Sequence, residues 1–228
     1  MSGAVIELPE LRDRLHVFRD REHAGEVLAG MLTEYRDSNA LVLAIPAGGV
    51  PVAAAMAEVL GLPLDVCVVS KILLPWTTEA GFGAVAYDGT LWINREYLDY
   101  YRLTPEQIET ATEAARKKVA RRVERFRGHR PLPQVSGRPV ILVDDGLASG
   151  ATLRAGVAAL RKQGADELVV AVPTAHVGSA LELAQQVERL FCANLRTGPS
   201  FAVADAYQHW YDVSEDEAAA LITGGESP

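Results

Sequence analysis

The chain has 228 residues, 49% hydrophobic, with a formal net charge of −8 at pH 7. That suffices for one substantial core. No apolar run approaches the ~18 residues that cross a bilayer, and the opening residues, with Glu7 and Glu10, lack the apolar block of a secretory signal, so the cytoplasm is the expected location, with no membrane partner.

Residues 1–14 read as a polar arm. Residues 21–35 have helical periodicity, with Asp20 as N-cap. Residues 40–45 are a continuous apolar run, the pattern of a central strand buried on both faces. The following Pro46-Ala47-Gly48-Gly49 leads into a helix over 50–60. Consecutive glycines let backbone N–H groups approach an anion closely, since no Cβ intervenes. A second buried strand is expected over 64–69, ending near Lys71, where an ammonium can neutralise anionic oxygens. Residues 73–80, with Pro75, Trp76 and Glu79, suit a loop that closes over ligands and excludes water. Residues 82–87 and 90–94 flank Asp88-Gly89, a two-residue hairpin signal.

Thr104-Pro105-Glu106-Gln107 opens a long helix, with Thr at N-cap, Pro at N1 and Gln at N3. It should run to about Arg127, before Gly128 and Pro131-Leu132-Pro133. Residues 116–130 carry eight Lys/Arg against the single acid Glu124. A solvated face is the plain reading of this basic stretch. The alternatives are a wall facing pyrophosphate, a partner subunit or RNA, and no interleaved aromatics favour RNA.

Val140-Ile141-Leu142-Val143 is a strand buried on both faces, followed by Asp144-Asp145 and the small-residue loop Gly146-Leu147-Ala148-Ser149-Gly150. A helix begins at Ala151 and has apolar Leu153, Val157 and Leu160. The loop amides and helix N-terminus form an anion cradle, with Ser149 and Thr152 as hydroxyl donors. The two acids can hold a sugar diol or a hydrated Mg²⁺. A ribose 5-phosphate satisfies both halves. Strands over 167–172 and 190–193, a helix over 179–187 and a tail helix capped at Ser214 complete the pattern. Alternating strands and helices imply an α/β fold, a central parallel sheet with helices on both faces. Residues 82–130 interrupt it as a flap hairpin and helical hood within one domain over 15–222. Cys67 and Cys192 lie in apolar runs as reduced core thiols, and the five histidines lack metal-ligand spacing. His176, just past a strand end, is the one placed near a ligand.

The run from Val140 to Thr152 resembles the phosphoribosyl-diphosphate (PRPP) signature of the type I phosphoribosyltransferases, and with 41–51, 71–89 and 201–211 it is similar to their stand-alone bacterial members. The resemblance implies that Asp144 and Asp145 hold the ribose hydroxyls and orient Mg²⁺ through water. It makes Ala148, Ser149, Gly150, Ala151 and Thr152 the 5-phosphate loop, and Ala47, Gly48 and Gly49 the pyrophosphate loop. Lys71 matches the family's basic residue at a strand end. Three departures stand out. Gly146 replaces an aliphatic residue, Ala47 a basic one, and Ala148 the acid used by the purine-salvage branch. Residues 72–94 contain no Lys or Arg to match a catalytic loop lysine.

The expected activity is transfer of a 5-phosphoribosyl group from PRPP to a nitrogenous acceptor, with release of pyrophosphate. The alternative is a non-catalytic PRPP or nucleotide regulator on the same fold. A third is an interaction module working through 116–130. Trp76, Phe201 and Tyr207 are candidates to stack on a planar base, or simply packing. The family's habit is a homodimer.

Overall fold

The computed structural model describes residues 3–78 and 80–223. In chain order they form β1 (Ala4–Glu7), α1 (Arg21–Met31), β2 (Leu41–Ala44), α2 (Gly49–Leu60), β3 (Leu64–Val66), β4 (Val69–Leu73), β5 (Gly81–Ala86), β6 (Leu91–Ile93), α3 (Arg95–Tyr101), α4 (Pro105–Arg127), β7 (Pro139–Val143), α5 (Ala151–Lys162), β8 (Glu167–His176), α6 (Val177–Ala184), β9 (Arg189–Arg196) and α7 (Glu215–Ile222).

The main sheet is parallel throughout, in the order β1-β9-β8-β7-β2-β3. Its inner strands are apolar on both faces. Val42, Ala44, Ile141, Val143 and Val169 belong to one core with Leu28 of α1 and Met56 of α2. Leu41, Leu43, Val140, Leu142 and Val170 belong to the other, with Leu153, Val157 and Leu160 of α5. Two apolar layers explain why these strands read as unbroken hydrophobic runs. The architecture is the expected α/β one.

The excursion from the sheet is a second, antiparallel sheet, β4-β5-β6. Helix α4 packs on β4 and β5, and α5 also touches all three strands of this sheet. The hood helix starts as its sequence dictates: Thr104 Oγ1 accepts from Gln107 N at 3.2 Å, and Gln107 Oε1 accepts from Thr104 N at 2.9 Å. Buried Thr112, Ala115, Val119 and Phe126 form its packed stripe.

Several expectations need correction. The strand over 64–69 is two strands in different sheets. The ladder to β2 ends with Cys67 N donating to Ala44 O, and the chain then crosses to the antiparallel sheet. The apolar run Val66-Cys67-Val68-Val69 carries no mark at such a crossing. Lys71 therefore sits inside β4, opposite Ala84, rather than at a strand end. The hairpin turn has three residues, Tyr87 to Gly89: Gly89 N donates to Ala86 O, Ala86 N donates to Thr90 O, and Gly89 takes φ +83°.

The arm is not merely an arm, because Ala4–Glu7 pairs in parallel with β9 at the sheet edge. The first helix stops at Met31, with a 3-10 turn over Thr33–Tyr35. Strand β8 runs through Pro173 to His176, since Pro173 stands in no paired position and forfeits no ladder bond. Helix α6 starts and ends earlier than 179–187, and β9 is longer than 190–193. Ser214 caps α7 by accepting from Glu217 N, but Glu217 accepts from Tyr211 OH instead of closing a capping box.

Candidate active site

Strands β2 and β7 lie side by side, with Ala44 opposite Val143. The sheet order reverses here, and ligands of open α/β sheets bind at such a switch point beyond the strand ends. The loops leaving the two strands meet. Ile45 N donates to Val143 O at 2.8 Å, and the Pro46–Ala47 peptide is cis.

The acids leave β7 into unequal surroundings. Asp144 Oδ1 accepts from Asp145 N at 2.9 Å, and Oδ2 accepts from Thr152 Oγ1 at 3.3 Å. Burial, and then the charge of Asp145, raise the Asp144 carboxyl well above the ordinary range. Burial also raises Asp145, but Arg21 opposes it. The Nε and Nη2 of Arg21 both donate to Asp145 Oδ2, at 3.1 and 3.0 Å. Arg21 is only 5% exposed. Its guanidinium carbon lies 3.8 Å from the Trp210 ring centroid, and Nη1 donates to Tyr211 O. Tyr207 OH donates to Asp145 O at 2.7 Å. The C-terminal segment is thus strapped to the second acid.

The loop after the acids is tied to β8: Leu147 N donates to Thr174 O, and His176 N to Leu147 O. Gly150 adopts φ +75° and caps α5. Ala148 and Ser149 are exposed. The first amides of α5 have no intrahelical acceptor and so suit an anion.

A cavity of about 1100 Å³ lies beside these groups. Asp144, Asp145, Ala148, Ser149, Gly150, Thr152 and Lys71 line it together. Ala47, Gly48, Gly49 and Ala151 do not. Gly49 N donates to Ile45 O, and the two glycines lie against the acids. A Cβ on Gly48 would fall 2.1 Å from Asp145 Oδ2, and one on Gly49 2.9 Å from Asp144 Cα. Gly48→Ala should therefore displace Asp145 from Arg21 or force the loops apart, lowering stability by about 1–3 kcal/mol. Urea denaturation reads this, and an unchanged midpoint would show that the carboxylate turns aside freely.

Leu74, Pro75, Thr77 and Thr78 of the covering loop line the cavity, while Glu79 is outside the described residues. The three aromatic candidates do not line it. Tyr207 is buried, Trp76 meets Tyr101 edge-on, and Phe201 packs with His176 and Arg196. His176 likewise stays off the cavity wall, where Trp210 is the aromatic among the described residues. Sequence reasoning missed both Trp210 and Arg21. One weak signal existed for Arg21: a cation in the first turn of a helix opposes the macrodipole, which asks for a tertiary partner.

Cys67 and Cys192 are buried free thiols, pushed up by burial. Among the described residues no group of three or more His, Cys, Asp or Glu could hold a metal, and no helix is long and apolar enough to cross a membrane. Two adjacent carboxylates, each costly to ionise, do fit a hydrated Mg²⁺ that shares its coordination with phosphates.

The switch-point crevice, paired acids and amide-rich loop at a helix start define an α/β protein of the ligand-binding parallel-sheet class. The family model for the phosphoribosyl transferase domain matches residues 21–207, and the chain belongs to that family. It is 34% identical over 208 residues to two Mycobacterium tuberculosis proteins, "Putative phosphoribosyl transferase MT0597" (strain CDC 1551 / Oshkosh) and "Putative phosphoribosyl transferase Rv0571c" (strain H37Rv). The match covers 91% of this chain and 47% of each relative, so the chain spans about half the length of the curated relatives it matches. The crystal structure of TT1426 from Thermus thermophilus is similar with a TM-score of 0.73 and 33% identity, covering 92% of this chain and 99% of that one.

Proposed function

We propose that this protein transfers a 5-phosphoribosyl group from PRPP to a nitrogenous acceptor, releasing pyrophosphate. The observation that carries this reading is the common cavity of Asp144, Asp145, Ala148, Ser149, Gly150, Thr152 and Lys71. The loop amides with Ser149 and Thr152 bind the 5-phosphate, and Asp144 and Asp145 accept from the ribose hydroxyls. With the ribose fixed at both ends, the bond from C1 to the pyrophosphate oxygen breaks while the acceptor nitrogen closes on C1. Charge develops on the departing oxygen, and pre-oriented donors stabilise it without rearranging. Lys71 receives the pyrophosphate beside Pro46, the residue of the 46–49 loop on the cavity wall, while Ala47, Gly48 and Gly49 lie behind it, the two glycines against the acids. Asp144 and Asp145 would hold Mg²⁺ through water, and the bound ion supplies charge neutralisation at the diphosphate. The covering loop, with Thr77 and Thr78 on the cavity wall, keeps water from competing with the acceptor.

Ala148 has no proton to exchange, which favours a second reading, a PRPP-binding regulator. Calorimetry with Mg²⁺ and PRPP, followed by pyrophosphate release across a broad panel of bases and amines, decides between them. Binding with release for at least one acceptor is expected. Binding with no release across the panel replaces the transferase with the regulator, and absence of PRPP binding overturns both.

A further inference from the structure

The basic stretch of α4 is not uniformly a solvated face. Arg125 pairs with Asp216, Arg127 with Asp65 and Arg116 with Glu113. Lys118 and Arg122, four residues apart and so on one side of the helix, instead line the cavity with Lys71 and Pro46. Arg122 Nη1 stands 3.4 Å from Pro46 O, at the very loop that lacks a basic residue at Ala47. Its Nε donates to Glu215 at 2.6 Å, so α7 holds the guanidinium in place, 15% exposed. Lys118 has no ion pair or hydrogen bond among the described residues. Burial and then the charge of Arg122 depress its ammonium, with Arg121 and Lys71 adding and Glu215 opposing. Arg122 is partly buried, and Lys118 and Lys71 are exposed at the cavity. Beyond the one charge that Glu215 offsets, like charges gathered around one cavity repel one another unless an anion joins them, and the cost grows with each cation added. A diphosphate, carrying several charges on a small group, is the anion that fits such a set.

We propose that Lys118 and Arg122, on the inward side of the hood helix, join Lys71 as the cation set for the diphosphate of PRPP, in place of the basic residue missing at Ala47. The assignment rests on the PRPP reading above and adds to it the source of the missing charge. It also gives the hood a chemical task, since α4, packed on β4 and β5, carries the two cations to the cavity wall.

The test is calorimetry of the full chain, wild type and Lys118→Met/Arg122→Met, with three probes in Mg²⁺ buffer: PRPP, ribose 5-phosphate and inorganic pyrophosphate. Two charge-assisted hydrogen bonds are removed, so PRPP and pyrophosphate should bind about a hundredfold more weakly. Ribose 5-phosphate, held at 148–152, should change less than about twofold. Lys118→Arg/Arg122→Lys, which keeps both charges, should recover most of the loss. Should the double variant not fold, the single Lys118→Met, whose ammonium has no protein partner, carries the same comparison with about a tenfold loss.

Unchanged PRPP affinity, or equal weakening of PRPP and ribose 5-phosphate, overturns the assignment while leaving the PRPP reading intact. If the wild type binds neither PRPP nor ribose 5-phosphate, the PRPP reading fails. The pyrophosphate arm then decides the cation set: binding that depends on the two side chains upholds it, and independent or absent binding overturns it.

Discussion

Asp144→Asn and Asp145→Asn are expected to move stability in opposite directions, although the two residues are neighbours with the same side chain. The Asp144 carboxyl is raised in the folded protein by burial and then by the charge of Asp145. Between the ordinary carboxylate range and that raised value, the folded chain binds more protons than the unfolded one. Stability is therefore greatest below the ordinary range and declines as pH rises through the folded value. Asn removes the charge, so at pH 7 in metal-free buffer the variant should gain on the order of 1 kcal/mol, with no gain near pH 3. The Asp145 carboxyl is also raised by burial, but less far because Arg21 opposes the shift, and Arg21, 5% exposed, depends on its charge, a dependence that outweighs the relief of neutralising it. Asp145→Asn leaves that guanidinium with a neutral acceptor, and losing a charge-assisted bond should cost about 1.5–3 kcal/mol. Both variants should bind PRPP about tenfold more weakly or worse. Urea denaturation at the two pH values, with parallel calorimetry, tests all three statements. Equal and same-signed stability changes would falsify the division of labour between the acids.

Gly150→Val should abolish binding of PRPP and ribose 5-phosphate together. Gly150 holds φ +75°, a conformation that costs a β-branched residue about 1–3 kcal/mol. The Cβ alone would stand 3.0 Å from Leu147 Cδ1, and a branched side chain at this helix start would obstruct the phosphate oxygens. Pyrophosphate binding should survive, because it belongs to the other end of the cavity. Ser149→Ala is the control: it removes one hydroxyl donor, leaves the amides in place and should weaken binding only several-fold. The pattern is the mirror image of that expected for the hood cations, where pyrophosphate is lost and ribose 5-phosphate kept. If a folded Gly150→Val bound ribose 5-phosphate normally, the phosphate would lie elsewhere and the assignment of 148–152 would fall.

The parts of the site legible in the sequence are those built from consecutive residues. Val140 to Thr152 declares a strand, two acids, a tight loop and a helix start in one stretch, because buried-strand composition, glycine freedom and helix-end amides are all local properties. Thr104 to Gln107 declares a helix start for the same reason, and the observed capping box agrees. The alternation of strands with helices likewise gave the parallel sheet.

Tertiary structure decided everything that depends on which distant residues meet. The stretch over 66–69 looks uniform, yet the chain changes sheets within it, since apolar side chains serve either core equally. Arg21 reaches Asp145 across 124 positions of sequence, and Trp210 comes beside it because the 207–211 segment runs along residues 18 and 19. No local spacing encodes such contacts. The basic helix is the clearest case. Its charges are plain in the sequence, but a charge count has no direction, and only the packing of α4 on β4 and β5 turns Lys118 and Arg122 toward the cavity while Arg125 is left to the exposed Asp216. Composition sets how much charge a helix carries, whereas the choice of buried face sets what that charge can act on.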